Sequence, residues 1–199
     1  MLDRLLHKAV ANHRLYDFVQ WAAGVNTVRT RLLPLLNGAD NQSVLDVGAG
    51  TGALRAWLPS NSRYMWMDND PEKLQGYLSR GAGLAVLGSA FQLGLANKSV
   101  DQALFVLVAH HLTDAELRLA FDEIARVVKH KLIFIDPIDC PTRLMSRLLW
   151  SIDRGSFPRT PEVLRRFLEE SYVLEQAEVF TVRHRYFACI AKPRATMVA

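Results

Sequence analysis

Cysteine is scarce in this chain of 199 residues: Cys140 and Cys189 lie too far apart for a paired metal-ligand spacing and are too few for a disulfide framework. A reducing, cytoplasmic setting is expected. No apolar run reaches the length of a bilayer span. The stretch MLDRLLHKAVANHRLYDF is broken by Asp3, Arg4, His7, Lys8 and His13, which leaves no signal-peptide core, so neither a membrane span nor export is expected. Repeats, low-complexity tracts and linkers are also missing. Nor is charge of one sign concentrated: 24 Lys and Arg oppose 20 Asp and Glu, a net +4 spread through the chain, whereas nucleic-acid footprints gather cations on one stripe. What is present is a chain 50% hydrophobic and 22% charged, able to bury one sizeable core.

Leu2, Leu5, Leu6, Ala9 and Val10 recur at helical spacing, as do Val28, Leu32, Leu35 and Leu36, so residues 1–42 read as a helical cap closed by Pro34 and Gly38. From Ser43 the pattern changes to short apolar runs separated by helices: SVLDV, RYMWM, GLAVL, QALFVLVA and KLIFI. Asp70 before Pro71 predicts a helix start, and Thr113 with Glu116 predicts a capping box. Strands apolar on both faces that alternate with helices predict a doubly wound α/β fold, a Rossmann-like parallel sheet with helices on both faces. Further on, TRLMSRLLWSI has an amphipathic helical pattern, and Thr160-Pro161 opens another helix through about Ser171. Strands near Leu174–Phe180 and Arg185–Ala191 have only a short polar connection, which suits an antiparallel pair. A single domain is expected: a cap at 1–42, a core at 43–136, a helical insert at 137–172 and a terminal strand pair at 173–193.

The strongest local signal is the run VLDVGAGTG, residues 44–52, a strand entering three alternating glycines and then the helical pattern ALRAWL. Glycine serves where backbone turns at positive φ or approaches a ligand without a Cβ in the way. Asp68, ending the second strand, lies at the distance past the loop where a carboxylate accepts from a ribose diol, so a nucleoside ligand is expected. Gly48, Gly50 and Ala53 also fit the dinucleotide pattern, which keeps NAD as an alternative. Asp46 separates the two. A carboxylate ending a buried strand needs a donor or a cation, and it would repel a diphosphate. S-adenosylmethionine brings an ammonium, a sulfonium and no phosphate. Asp46 could equally accept only from the loop's own amides.

VLDVGAGTG resembles the first motif of the class I S-adenosylmethionine-dependent methyltransferases. GSAFQLGLANKSVD resembles the stretch GDAxxLPFxDxSFD of their small-molecule branch, and ALFVLVAHHLTD is similar to that branch's fourth strand with its LHHL ending. ARVVKHKLIFID resembles the RxLKPGG turn into strand five, shortened and without its glycines. The resemblance implies a seven-stranded, mostly parallel sheet with an antiparallel last strand. It further implies that Asp46, Gly48, Ala49, Gly50 and Gly52 hold the methionine end, Asp68 and Asn69 the ribose, Ser89 and Ala90 the adenine edge, and Val108 the opposite face. Ser89 stands where an acidic residue is common, and a hydroxyl accepts more weakly than a carboxylate. The implied activity is methyl transfer to a small-molecule or lipid-linked acceptor, with S-adenosylhomocysteine as product. A catalytically silent cofactor-binding module that regulates a partner, and an NAD-dependent oxidoreductase, are the alternatives.

Methyl transfer from a sulfonium is an in-line displacement in which positioning supplies most of the acceleration. A hydroxyl or ammonium acceptor must also lose a proton, a task suited to histidine. His110 and His111 follow the fourth strand at the edge where open sheets bind ligands. On extended chain only one of them would face the site, His110 being preferred, and packing against the cofactor is the competing role. Tyr16 in the cap is a further candidate, while Phe18 and Trp21 read as core. Arg143, Arg147, Arg154 and Arg159 fall in the insert that covers the acceptor in related enzymes, and would favour an anionic acceptor. Cys140 lacks the surroundings of a nucleophile, and no Asn-Pro-Pro-Tyr motif follows the fourth strand, so nucleic acid is not an expected substrate.

Overall fold

The computed structural model describes residues 25–32, 34–36, 39–79, 83–139, 157–182 and 185–195. Among them are seven strands: β1 Ser43–Val47, β2 Arg63–Asp68, β3 Leu84–Leu87, β4 Val100–Val106, β5 Val128–Pro137, β6 Tyr172–Thr181 and β7 Arg185–Pro193. They form one sheet in the order β3-β2-β1-β4-β5-β7-β6. The first five pair in parallel, and β7 lies antiparallel between β5 and β6. This is the expected doubly wound sheet with its last strand reversed.

Among the described residues four α-helices cover it: α1 Val25–Leu32, α2 Pro71–Leu78, α3 Asp114–Val127 and α4 Pro161–Ser171. Alternation along the strands sends Leu45, Val47, Phe105, Leu132 and Phe134 into one core with α3 and α4. Val44, Tyr64, Trp66, Leu104 and Ile133 enter a second core with Val28 of α1 and Tyr77 of α2. The predicted helix starts are in place. Thr113 Oγ accepts from the Glu116 amide at 3.3 Å while the Glu116 carboxylate accepts from the Thr113 amide at 2.8 Å. Asp70 accepts from the Glu72 amide at 2.9 Å, and Pro71 follows in the first turn. Leu117, Phe121 and Ile124 anchor α3, each worth about 1.5–3 kcal/mol when fully buried.

Two expectations change. The pattern ALRAWL is a short 3-10 turn, Ala53–Trp57, instead of a helix, because Pro59 disfavours helical backbone at Leu58, which is extended at φ −89° and ψ 151°. Strand β3 is an edge strand with Leu84 and Leu87 exposed, so it is not covered on both faces. Tyr16, Phe18, Trp21, Cys140, Arg143, Arg147 and Arg154 lie outside the described residues.

One polar cluster ties the amino ends of the central strands together. Asp101 accepts from the Ser43 amide at 2.8 Å, from its hydroxyl at 2.7 Å and from Lys129 Nζ at 2.7 Å. The Lys129 ammonium, and then the Ser43 amide, hold the Asp101 carboxyl well below the usual carboxylate range. A lowered folded pKa gives stability that is present above the unfolded value, about 3.9, and is lost as pH falls through the folded value. Asp101→Asn is therefore expected to cost about 2 kcal/mol at pH 7 and to flatten the loss of stability below about pH 4. Thermal unfolding across that range checks both; an acid limb identical to that of the parent would remove Asp101 from this role.

Candidate active site

Three carboxylates end strands in nearly full burial: Asp46 on β1, Asp68 on β2 and Asp136 on β5, at 1%, 7% and 2% exposure. Charges so placed need donors, and the donors each one finds shape the site. Gly48, Gly50 and Gly52 all adopt positive φ, 70°, 55° and 71°, so the chain after β1 coils tightly. The Gly50 amide donates to Asp68 Oδ2 at 2.8 Å, the Ala49 amide to the Met67 carbonyl at 2.9 Å and the Gly52 amide to the Ala49 carbonyl at 2.9 Å. Asp68 Oδ1 also accepts from the Asp70 amide at 3.0 Å, which joins the loop to the start of α2. Each of its oxygens keeps capacity for a further donor such as a ribose hydroxyl. Neighbouring Asn69 is exposed.

Two of the glycines answer to the chain's own side chains. A Cβ on Gly48 would stand 2.5 Å from Val108 Cγ2, and one on Gly52 would stand 2.4 Å from the Tyr77 ring. The turn at positive φ is thus in place, and Val108 and Tyr77 take the space that a Cβ would fill. Tyr77 stacks on Trp66 at 5.6 Å, and Trp66 Nε1 donates to the Gly50 carbonyl at 2.8 Å. Asp46 accepts from the Tyr64 hydroxyl at 2.5 Å. Burial first, then Asp46, pushes the Tyr64 phenol well above its ordinary range, so it remains a neutral donor.

Beyond β3, Ser89 and Ala90 are half-buried, and Ser89 Oγ accepts from the Phe91 amide at 3.2 Å. After β4 the chain does not stay extended. Leu107 adopts φ 60°, a left-handed conformation that costs a non-glycine residue roughly 1 kcal/mol. A 3-10 turn, Ala109–His111, follows it. The alternation expected of the two histidines therefore gives way: His110 is buried and His111 exposed, yet their rings lie 4.0 Å apart. His110 Nδ1 is 2.9 Å from Asp136 Oδ1, which also accepts from the Ala109 amide at 3.1 Å.

Arg159, expected among the acceptor-binding arginines, is occupied elsewhere. It donates to the Ala109 carbonyl at 2.8 Å, the Leu112 carbonyl at 2.5 Å, the Phe157 carbonyl at 3.2 Å and Asp114 Oδ1 at 2.8 Å. Its guanidinium fastens the histidine turn to the segment before α4. Sequence reasoning missed Tyr64, Asp136 and Leu107. Asp136 carries the same signal as Asp46, a carboxylate closing a buried strand; the strained backbone of Leu107 has no signal in its residue type.

The contact between Gly48 and Val108 is testable. Gly48→Ala is expected to destabilise the protein by about 2 kcal/mol through left-handed strain and overlap. Adding Val108→Ala is expected to recover part of that loss in denaturant melts; strictly additive costs would mean the two residues do not meet.

With the geometry in view, residues 45–135 match the family described as a methyltransferase domain. No curated protein matches the chain in sequence. Among solved structures, the chain is similar to a complex between the Haloferax volcanii Trm112 methyltransferase activator and the putative methyltransferase, with TM-score 0.77, 14% identity and coverage of 96% of this chain and 98% of that one. It is similar also to magnesium protoporphyrin IX methyltransferase from Synechocystis PCC 6803 with bound S-adenosylhomocysteine, with TM-score 0.69, 16% identity and coverage of 88% and 84%. A SAM-dependent methyltransferase from Aquifex aeolicus shares the fold at TM-score 0.66 and 16% identity, over 83% and 89% of the two chains. The matched segment, 45–135, holds the glycine loop, Asp68 and the histidine turn, and is similar to a methyltransferase domain.

Proposed function

We propose that this protein binds S-adenosylmethionine and transfers its methyl group to a small-molecule or lipid-linked acceptor. The observation that carries the reading is the fate of the loop amides. A dinucleotide site needs backbone N–H groups and a helix N-terminus turned toward the diphosphate. Here the amides of Ala49, Gly50 and Gly52 donate to the protein's own oxygens, and a five-residue 3-10 turn stands where that helix would begin. Two buried carboxylates, Asp46 and Asp68, border the same loop. That environment repels a diphosphate and attracts a phosphate-free cationic nucleoside.

In this reading Asp46 and the chain from Gly48 to Gly52 receive the methionine end, Asp68 with Asn69 the ribose, Ser89 and Ala90 the adenine edge, and Val108 closes the opposite side. S-adenosylmethionine supplies an electrophilic methyl on a sulfonium, and the chain's task is to orient an acceptor in line and exclude water. The chain acts as a single domain, with the insert at 137–172 covering the acceptor and Arg143, Arg147 and Arg154 favouring an anionic one. His110, oriented through Nδ1 by Asp136, is the first candidate for receiving a proton from the acceptor, and His111 and Tyr16 are the further candidates.

Among the described residues no helix is long and apolar enough to cross a membrane. Calorimetric titration is expected to show binding of S-adenosylhomocysteine and none of NAD; the reverse result would overturn the cofactor assignment. Incubation with labelled S-adenosylmethionine and a metabolite extract is expected to label an acceptor, which a silent module would leave unlabelled. With that acceptor in hand, His110→Ala is expected to lower turnover about 10²-fold or more. Unchanged turnover would leave His110 a packing residue.

A further inference from the structure

Tyr64 has no part in the reading above, yet its hydroxyl donates to the most deeply buried carboxylate of the site, Asp46, at 2.5 Å. It lies on β2 opposite Val44, two positions before Trp66, which is opposite Asp46, so phenol and carboxylate share one face of the sheet. The ring cannot turn away. It is buried at 6% exposure and lies 6.0 Å from Tyr77, which stacks on Trp66, which in turn donates to the Gly50 carbonyl. An aromatic column therefore runs from the glycine loop to the phenol and fixes where the hydroxyl points.

A basic group acting on that phenol is Arg55, whose guanidinium is held by the Pro59 and Ser60 carbonyls at 3.1 and 3.2 Å. A phenol orients a carboxylate by hydrogen bonding and brings no positive charge with it, so the attraction of Asp46 for a cation survives. A lysine in its place would cancel that attraction.

We propose that Tyr64 is a positioning residue for the amino-acid end of the cofactor, holding the Asp46 carboxylate in the orientation that receives the α-ammonium. This rests on the S-adenosylmethionine reading above. The competing role is purely structural: the bond satisfies a buried carboxylate and the ligand does not sense it. Two probes separate these roles. S-adenosylhomocysteine carries the α-amino acid, whereas 5′-methylthioadenosine keeps the adenosine and the thioether but lacks it.

Tyr64→Phe, with Tyr64→Met as a second variant should the first fail to fold, is expected to weaken S-adenosylhomocysteine about tenfold and to leave 5′-methylthioadenosine within about twofold of the parent. The ratio of the two affinities is insensitive to a fraction of unfolded protein. In an Asp46→Asn background, Tyr64→Phe is expected to cost nothing further, because its effect passes through the charge already removed. Equal losses for both probes, or additive losses in the double variant, would overturn the proposal while leaving the cofactor reading intact. If the parent protein binds neither probe, the cofactor reading fails, and this proposal fails with it.

Discussion

A carboxylate placed at the end of a buried strand cannot stay without donors, and in this sheet that condition is met three times at one edge. Asp46, Asp68 and Asp136 meet it in different ways: with a phenol from the neighbouring strand, with amides of the glycine loop and of the start of α2, and with an imidazole and an amide of the turn after β4. Each solution fixes a different piece of irregular chain. Asp68 sets the path between β1 and α2, Asp136 sets the path leaving β4, and Asp46 ties the first two strands together. The loops take these paths because burial requires that these charges find donors.

The same accounting explains how two cofactor classes with similar glycine patterns part company. In a dinucleotide site the glycines release amides toward an anion. Here positive φ at Gly50 turns its amide inward onto Asp68, while Gly48 and Gly52 make room for Val108 and Tyr77. The glycines are obligatory in both cases. What they serve is decided by whether a carboxylate or a phosphate takes the amides, and a carboxylate built into the protein leaves a basin of negative potential for a cationic ligand.

Most of the sheet was legible because its signals are local. Apolar runs, the proline after Asp70 and the reciprocal Thr113–Glu116 pair are each contained within a few residues, and each predicted its element. Asp68 could be singled out because its spacing from the glycine loop recurs in nucleoside-binding units, but its bond to the Gly50 amide was not foreseen. Legibility ended where partners are remote in sequence. Nothing near Tyr64 announces that its hydroxyl will meet Asp46, and nothing near Gly52 announces Tyr77, since both contacts exist only once β1 and β2 pair. The shortened turn after Gly52 is the exception: Pro59 was in plain view, and its effect on the preceding residue was enough to end the expected helix.

Arg159 shows how composition can mislead about an acceptor pocket. Four arginines between 143 and 159 read as a cationic cover, but at least one of them is a tie within the protein. The Asp139 amide donates to the Arg159 carbonyl at 2.8 Å, and the Phe157 amide donates to the His110 carbonyl at 3.1 Å. The chain at Asp139 and the chain at Phe157 to Arg159 thus meet beside the turn that carries His110. One guanidinium holds the turn at Ala109 and Leu112, the start of α3 at Asp114 and the chain at Phe157 together.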